Sequence, residues 1–344
     1  MEPALARGTA YTGLRMSELT YRQAINQALD AELAADPEVF LIGEDVGAGG
    51  GVFKVTDGLF AKYGAERVFD TPISEQAIVG CALGAAMQGL RPVAEIMFSD
   101  FTAVCFDQIA NQMAKCRYMS DGQISLPLTI RMATGAGSGF GAQHSQSAEQ
   151  WLLNVPGLKI VVPSTPSDAY WMLRAAIRDP DPVLYFEHKA LYGKKGEILA
   201  HESVPALGSA SVAQPGTDLT IVASQLMLHY AFEAARSLTA RGVSAEVLDT
   251  RVLRPLDLTA IRASVQRTGR LLIVQEAPSL GSWGASVIAA LAAESPPPWR
   301  QPVVLLAGAD TPIPYAAVLE AAYLPSAQRI TDAALNLMQV SVRG

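Results

Sequence analysis

The stretch from Thr71 to Gly89 reads TPISEQAIVGCALGAAMQG. It predicts a short strand and turn, followed by a helix that begins beside Glu75 and carries no charged residue from 76 to 90. A surface helix carries charges on its outer face, so this helix is predicted to be buried. Gly80 and Gly84 lie four residues apart and share one face, where another backbone can come close.

Glu75 has two interpretations from the residues alone. A carboxyl group at the mouth of a buried helix is costly to ionise, which suits a group that exchanges a proton. The alternative is an ordinary acidic residue in the first helical turn, where the helix macrodipole favours negative charge. The spacing leaves both interpretations open.

Short apolar strands alternate with helices on both sides of this stretch. We expect strands at 39–43, 92–96, 127–132, 158–163 and 183–187, and helices at 17–35, 102–117 and 168–178, with Ser17 as the cap of the first helix. This alternation is typical of an α/β fold, a parallel sheet with helices on both faces.

The second half repeats the alternation after a break in periodicity between about 190 and 217. The predicted strands lie at 219–224, 243–249, 270–276 and 302–308, with helices at 227–240, 258–267 and 281–293. We therefore expect four segments: a flexible extension (1–15), a larger α/β domain (16–195), a linker (196–216) and a smaller α/β domain (217–344).

The composition argues against several classes of partner. Lys and Arg total 26 against 33 for Asp and Glu, a net charge of −7, which disfavours nucleic acid and anionic membranes. No apolar run reaches the length of a membrane span, and the first 15 residues lack the apolar core of a signal peptide. Cys81, Cys105 and Cys116 have no metal-type spacing and are expected to be core thiols. We expect a cytoplasmic protein.

Three phrases together resemble a known family. The first is Glu75 followed by Gly80 and Gly84, the second is AQHSQS at 142–147, and the third is PGLKIVVPSTPSDAYWMLRAAIRDPDPVLYFEHKALY at 156–192. With RPVAEIMFSDF, FDQIANQMAKCRYM, TGRLLIVQEAP and DTPIPYA, they resemble the β chain of the decarboxylating first component of 2-oxo acid dehydrogenase complexes. The resemblance runs from about Met16 to Thr331.

The resemblance implies a transketolase-like pyrimidine-binding domain followed by a transketolase C-terminal domain. It implies thiamine diphosphate as cofactor and an α2β2 heterotetramer that serves a lipoyl-bearing acyltransferase core. In this family a GDG motif on the α chain holds the diphosphate and its magnesium. No GDG occurs here, where the nearest strings are TDG at 56–58 and SDG at 120–122. We therefore expect half a cofactor site and no activity without the α subunit.

The family assigns roles to two residues of the motifs. Glu75 matches the catalytic carboxylate that bonds to the aminopyrimidine ring of the cofactor and exchanges a proton with it. His144 matches the histidine that handles substrate and the transfer to lipoyl, work that suits imidazole because it titrates near neutral pH. The alternative for His144 is a loop histidine bonded to a backbone carbonyl.

Four further residues match cofactor-binding positions. Met97, Phe101 and Ile73 are expected to face the aminopyrimidine, with ordinary core packing as their alternative. Glu44 follows a predicted strand at its carboxyl end, where open α/β sheets place ligands. It either extends a chain of acidic groups between paired sites or caps the glycine-rich loop that follows.

A structural potassium site is also implied by the family. Its residues here are Leu128, Ala176, Asp179 and Asp181, with oxygen ligands of the kind that an alkali ion prefers. Asp181 stands where relatives often have asparagine. The alternative is a solvated Asp-Pro-Asp-Pro turn.

The substrate is less well defined by the sequence than the reaction class. AQHSQ, EHKALY and NQMAKCRYM favour the pyruvate and acetoin types over the branched-chain type. The enzymatic alternatives are the branched-chain β subunit and another split transketolase, which the third phrase disfavours. The alternative of another class is an assembly subunit that anchors the α chain to the complex core.

Overall fold

The structure, a computed structural model, describes residues 15–339. In the first half the elements are β1 (Arg15–Thr20), α1 (Tyr21–Ala35), β2 (Val39–Gly43), α2 (Leu59–Tyr63), β3 (Val68–Asp70), α3 (Glu75–Met87), β4 (Arg91–Ile96), α4 (Cys116–Met119), β5 (Thr129–Thr134), α5 (Glu149–Leu152), β6 (Lys159–Val161), α6 (Pro166–Arg178), β7 (Val183–His188) and β8 (Lys195–Leu199). Three shorter helical turns lie at Ser99–Ala103, Gln108–Met113 and Lys189–Leu191.

The second half continues the alternation of strands and helices. Its elements are β9 (Ser211–Gln214), β10 (Leu219–Ala223), α7 (Gln225–Thr239), β11 (Ala245–Asp249), β12 (Val252–Arg254), α8 (Leu258–Thr268), β13 (Leu271–Val274), α9 (Trp283–Ala292), β14 (Val304–Leu306), α10 (Ala317–Tyr323) and α11 (Ala327–Gln339), of which α10 and α11 follow the last strand. The α/β class and the order of the predicted elements are confirmed.

A seven-stranded sheet forms the centre of the first half, in the order β12-β6-β7-β5-β4-β2-β3. All neighbours pair in parallel except β12, which runs antiparallel to β6. Strands β2, β5 and β7 are buried along their whole length, as expected for a parallel sheet covered on both faces.

A five-stranded sheet forms the centre of the second half, in the order β14-β13-β10-β11-β9. Strand β9 is its antiparallel edge and lies within the predicted linker, as does most of β8, which pairs with β1. Strand β12 belongs to the second half of the chain yet completes the first sheet. The two halves therefore share a sheet.

The first helix begins later than the sequence predicted. Residues 15–20 form β1 and pair with β8, so Ser17 does not cap a helix. The cap is Thr20, whose hydroxyl accepts from the backbone N–H of Gln23 while the Gln23 side chain accepts from the backbone N–H of Thr20. This reciprocal pair satisfies two donors that a helix start leaves free. The predicted flexible extension lies almost wholly outside the described residues.

The predicted helix at 102–117 is wrong as a single α-helix. The chain instead forms a 3-10 turn, a π-helix at Gln108–Met113 and the short α4. Cys105, Ile109 and Met113 are buried and lie four residues apart. This spacing places the three side chains on one face, which packs into the core.

Helix α3 is only half buried in this chain, so its prediction as a fully buried helix is wrong for the isolated chain. Ile78, Val79 and their neighbours on one face pack into the core, whereas the opposite face is exposed. Gly84 lies on the exposed face with open space around it. Cys81 is exposed there too, and Cys116 is half-buried, so only Cys105 is the core thiol that was expected.

Candidate active site

The predicted site residues follow the carboxyl ends of neighbouring parallel strands. Glu44 follows β2, Glu75 follows β3 after a four-residue turn, and Met97 follows β4. The loop after β5 carries His144. Because parallel strands end at one edge of the sheet, these side chains are brought to the same edge, as in other open α/β sheets.

Glu75 is the first residue of α3 and is 7% exposed. Its carboxylate accepts no hydrogen bond from residues 15–339, and the preceding Ser74 makes no side-chain cap. The pKa of the Cys105 thiol is raised to about 12 by its burial and by the negative charge of Glu75. The Glu75 carboxylate therefore has no hydrogen-bond donor among residues 15–339 and is free to bind a ligand or a partner.

Glu44 lies within electrostatic range of three other carboxylates, those of Glu75, Asp45 and Glu95. One of its carboxylate oxygens, Oε1, is buried with no hydrogen-bond partner among residues 15–339. Burial raises the pKa of Glu44, and the charges of Glu75, Asp45 and Glu95 raise it further. Repulsion between carboxylates favours a protonated member of the group, which is a way to store an exchangeable proton.

The glycine-rich loop after β2 is fixed by other groups than Glu44. The Gly47 N–H donates to Asp70 Oδ1 at 2.6 Å, and the Thr56 hydroxyl donates to the carbonyl of Val46 at 2.7 Å. Gly50 and Gly51 adopt positive φ angles of 71° and 76°, which this turn requires. The hydrogen bonds that fix this loop are therefore made without the Glu44 side chain.

An aromatic wall stands beside the acidic group. Phe98 and Phe101 lie edge to face at 5.6 Å between ring centroids, and the His144 ring is 4.8 Å from Phe98 and 5.4 Å from Phe101. Met97 and Phe101 are half-buried at this edge, whereas Ile73 is 83% exposed. Among residues 15–339, Ile73 therefore does not form part of this aromatic wall.

The His144 ring is held by aromatic contacts and not by a backbone carbonyl. No ring nitrogen of His144 bonds to any residue from 15 to 339, so the alternative of a carbonyl-bonded loop histidine is absent there. The loop itself is fixed by Gln146, whose Nε2 donates to Asp100 Oδ1 at 2.8 Å. The imidazole therefore remains able to donate or accept a proton.

Two carboxylates of the second half fix the glycine-rich start of the His144 loop. Glu320 accepts from the N–H groups of Gly137, at 2.8 Å, and Gly139, at 3.1 Å. Glu276 accepts from the N–H of Ala136 and lies 2.7 Å from His188 Nε2. Burial acts to raise the pKa of Glu276, but His188 and the Ala136 N–H lower it on balance.

A buried ion-pair network supports the floor of the site. Arg131 on β5 bonds to both carboxylate oxygens of Glu187 on β7 and, at 2.7 Å, to Glu95 on β4. Tyr192 adds a hydroxyl donor to Glu187 at 2.9 Å. Because a bidentate guanidinium fixes both partners, the network holds three neighbouring strands in register below the acidic group.

The residues predicted to bind potassium make other contacts. Lys159 Nζ lies 2.6 and 2.7 Å from the two carboxylate oxygens of Asp179 and 3.2 Å from Asp181, which also pairs with Arg117. The carbonyls of Leu128 and Ala176 accept backbone N–H groups. The described residues contain no cluster of three or more His, Cys, Asp or Glu that could hold a metal ion.

Sequence reasoning missed several residues of this site. Phe98, Asp100, Glu276 and Glu320 all touch the His144 loop, and the last two lie far from it in the sequence. The phrases RPVAEIMFSDF and TGRLLIVQEAP contain Phe98, Asp100 and Glu276, so the signal was present as sequence motifs. Nothing local indicated that Glu320 folds back onto glycine N–H groups.

Comparison with known proteins gives a consistent result. The family "Transketolase, pyrimidine binding domain" matches residues 17–195, and "Transketolase, C-terminal domain" matches 208–330. The pyruvate dehydrogenase E1 component subunit beta-2, mitochondrial, of Oryza sativa subsp. japonica is 46% identical over 321 residues, which cover 92% of this chain and 85% of that protein.

Two further relatives are named for different substrates. The acetoin:2,6-dichlorophenolindophenol oxidoreductase subunit beta of Cupriavidus necator is 44% identical, covering 94% of this chain and 98% of that protein. The 2-oxoisovalerate dehydrogenase subunit beta of Bacillus subtilis is 43% identical, covering 94% and 100%. A solved split-gene transketolase, described as an inactive β4 tetramer, superposes with a TM-score of 0.77 at 25% identity, covering 94% of this chain and 99% of that one.

Proposed function

Because this chain belongs to the family of β subunits of thiamine-dependent 2-oxo acid dehydrogenases, we propose that it performs the β-subunit role in a complex of the pyruvate or acetoin type. In this role it supports oxidative decarboxylation of a 2-oxo acid, or cleavage of acetoin, and transfer of the acyl group to lipoyl. The observation that carries the proposal is Glu75, a largely buried residue whose carboxylate has no donor among residues 15–339, at the same sheet edge as the aromatic wall and His144.

The residues present fit the aminopyrimidine half of thiamine diphosphate. Glu75 offers a carboxylate to a ring nitrogen, and the unpartnered Glu44 Oε1 lies in the same acidic group. Thiamine diphosphate, when bound, supplies a carbon nucleophile that adds to the carbonyl of the substrate. Glu75 gives and takes the proton that this activation requires, and Glu44 keeps a second exchangeable proton close to it.

The aromatic wall and Ile73 orient the flat ring. Met97 and Phe101 offer apolar surface at the edge where Glu75 points, which suits stacking against an aminopyrimidine. Ile73 is 83% exposed, so it contacts the ring only once a second chain encloses the site. The proposed role of Ile73 therefore depends on the partner chain.

His144 handles the substrate and the transfer to lipoyl. Its ring nitrogens are not used by any residue from 15 to 339, and two aromatic rings hold the imidazole plane. Imidazole can donate a proton to a leaving thiolate and recover it near neutral pH. We therefore propose proton transfer to the leaving thiolate for His144 and proton exchange with the cofactor ring for Glu75.

The partner is an α subunit, in an α2β2 tetramer that holds the diphosphate and its magnesium on the α chain. This chain has no GDG motif, and the uncharged face of α3 is exposed with open space at Gly84. The exposed side chains of Met87, Val104 and Phe106 add apolar area near that face. An apolar helix face that lacks charge suits burial against another protein chain.

For potassium, the proposal rests on main-chain oxygens alone. The side-chain donors do not fit, because Lys159 and Arg117 neutralise the carboxylates of Asp179 and Asp181. Potassium at this place would have to be held by main-chain oxygens such as those of Leu128 and Ala176. No step of the proposed mechanism depends on it.

An assembly role has one observation in its favour. Tyr315, Val318 and Leu319 of the second half are 77%, 76% and 56% exposed, an apolar surface that fits docking to an acyltransferase core. The retained Glu75 and His144 favour an enzyme subunit over a purely structural one. The docking surface adjoins the site, because Tyr315 lies against Gly141 of the His144 loop.

Reconstitution tests the proposed function. The chain is co-expressed with its α subunit, loaded with thiamine diphosphate and Mg²⁺, and assayed against pyruvate, acetoin and 2-oxoisovalerate with an artificial electron acceptor. We expect turnover of pyruvate or acetoin only when both chains and the cofactor are present. Preference for 2-oxoisovalerate would favour the branched-chain alternative, and a stable complex without turnover would favour the assembly role. Cell fractionation tests the cytoplasmic location, since several relatives are named as mitochondrial.

A further inference from the structure

Lys189 is a buried lysine next to the site with no assigned role. It follows the last residue of β7 and is 5% exposed. Its Nζ has no hydrogen-bond partner among residues 15–339. Burying an ammonium without a hydrogen bond is costly, so a lysine at such a position needs compensation from its surroundings.

Two aromatic faces supply part of that compensation. Lys189 Nζ lies 5.6 Å from the ring centroid of Phe98 and 5.9 Å from that of Phe140. These two rings also contact each other at 5.5 Å. Phe98 also contacts the His144 ring, at 4.8 Å between ring centroids. The ammonium therefore lies behind the wall that holds His144, in cation–π contact with it.

Four carboxylates supply the rest. Burial lowers the pKa of Lys189 to about 8, and these carboxylates act in the opposite direction by favouring its charged form. They are those of Glu276, Asp100, Glu320 and Glu149. They come from four different elements and from both halves of the chain, so the ammonium balances charges that would otherwise repel one another.

Three of these carboxylates are the groups that fix the His144 loop. Glu276 and Glu320 bind N–H groups at its glycine-rich start, and Asp100 binds Gln146 at its far end. Lys189 thus stands between the two ends of the loop and contacts the ring of Phe140, which lies within it. The Lys189 ammonium therefore interacts both with the carboxylates that fix the His144 loop and with Phe98, against which the His144 ring packs.

We propose that Lys189 is a positioning residue for His144, required more for acyl transfer to lipoyl than for decarboxylation. This inference rests on the proposed function. Without the ammonium, Phe98 and Phe140 lose a partner on their faces and the anchoring carboxylates lose their counter-charge. The His144 ring then departs from its place against Phe98, whereas Glu75, on another strand end, keeps its surroundings.

The experiment compares Lys189→Met, of similar length without charge, and Lys189→Arg, which keeps the charge, with wild type in the α2β2 enzyme. Lys195→Met, at an exposed lysine on β8, is the matched control. Two rates are measured: decarboxylation with an artificial acceptor, and reductive acylation of a free lipoyl domain. Hydrogen exchange of residues 136–147 is measured by mass spectrometry in the same preparations.

We expect Lys189→Met to lower lipoyl acylation by about 10²-fold, since misplacement of a reacting group by about 1 Å costs that much, with decarboxylation changed less than about threefold. Exchange in 136–147 should rise, Lys189→Arg should recover part of the lipoyl rate, and Lys195→Met should behave as wild type. Equal losses in both rates, or unchanged exchange with an unchanged lipoyl rate, would overturn the inference.

A second variant covers failure of Lys189→Met to fold. Phe140→Leu removes one ring from the ammonium at a residue that is 39% exposed, and it should show the same split between the two rates at a smaller size. Absence of that split would count against Lys189 as a positioning residue. Failure of the proposed function is distinguishable, because wild type would then lack both rates, while the exchange comparison would still report the coupling of Lys189 to the loop.

Discussion

The surroundings of Glu75 and His144 differ in kind. Glu75 opens a helix whose outer face is uncharged and exposed, and no residue from 15 to 339 donates a hydrogen bond to it. His144 sits on a loop that both halves of the chain fix through Asp100, Glu276 and Glu320. Residues 15–339 thus supply several contacts around His144 and no hydrogen-bond donor to the Glu75 carboxylate.

This difference shows which parts of the site receive contacts from the second half of the chain. The second half reaches across to the first sheet with β12 and to the His144 loop with two carboxylates. Among the described residues, no such hydrogen bond from the second half reaches α3. We therefore expect changes at Glu75 to act through the cofactor and the partner, and changes at His144 to act through a site that already exists in the single chain.

The largest effect on activity is expected at Glu75, to which no residue from 15 to 339 donates a hydrogen bond. Glu75→Gln keeps the shape of the side chain but cannot exchange a proton, so decarboxylation should fall by at least about 10²–10⁴-fold, the usual worth of a positioned acid or base. Assembly with the α subunit should be unchanged by analytical ultracentrifugation. Glu66→Gln, at an exposed acid, serves as the control. Wild-type turnover in Glu75→Gln would remove Glu75 from the mechanism.

The next prediction tests His144, whose loop is fixed by carboxylates from both halves of the chain. His144→Ala should lower reductive acylation of a lipoyl domain by about 10²-fold or more, because the imidazole supplies the proton in that step. Decarboxylation with an artificial acceptor should fall much less. The neighbouring exposed residue gives the control, Gln143→Ala. Small and equal losses in the two rates would mean that His144 only packs against Phe98 and Phe101.

A pH effect on stability is expected from Glu149, which accepts from the Thr134 hydroxyl at the end of β5, where the His144 loop begins. Burial raises the pKa of Glu149 from its ordinary 4.5 to about 7, and the charge of Glu276 acts in the same direction. The folded chain favours the protonated form, so the contribution of this group to stability is greatest below pH 4.5 and is lost as the pH rises to about 7. The difference corresponds to a free energy of unfolding on the order of 3 kcal/mol.

Glu149→Gln should remove that fall, because the amide stays neutral and can still accept from the Thr134 hydroxyl. Urea unfolding at pH 5 and pH 8 measures it: the variant should be more stable than wild type at pH 8 and similar at pH 5. The exposed Glu66→Gln should keep the wild-type slope. An equal slope in Glu149→Gln would show that this carboxyl titrates normally in the folded chain.

The sequence predicted the order of strands and helices well, and the contacts between distant parts of the chain poorly. Alternating apolar strands and helices are local patterns, so the α/β order and the bounds of β2 were confirmed. The strand at 15–20 was missed because its partner β8 lies about 180 residues away, and pairing, not propensity, decides it. Glu320 was missed for the same reason.

The uncharged helix is the case where pattern and environment disagree. The absence of charge from 76 to 90 predicted burial, and the single chain leaves half of that helix in solvent. The proposed assembly with an α subunit accounts for this disagreement, because in it the outer face of α3 is covered by a partner. A sequence carries the requirements of a subunit interface as plainly as those of a core, and a single chain cannot tell the two apart.

The smallest expected effect tests that interpretation of α3. Gly84 lies in a helix and has no neighbouring atom within 4 Å of the position that a Cβ would occupy, so Gly84→Leu should stabilise the isolated chain by about 0.5–1 kcal/mol through helix propensity. At a close-packed interface the same side chain is overpacked, which costs about 1–3 kcal/mol of association free energy. The opposite signs separate an interface from a free surface.

Gly84→Ala is the matched control, since it gains helix propensity with little added volume. Thermal unfolding of the isolated chain and titration with the α subunit give the two quantities for both variants. We expect Gly84→Leu to raise the unfolding midpoint and weaken assembly, and Gly84→Ala to raise the midpoint with little change in assembly. If Gly84→Leu assembles as tightly as wild type, the open face of α3 lies outside the interface, and the incomplete surroundings of Glu75 must be closed from another direction.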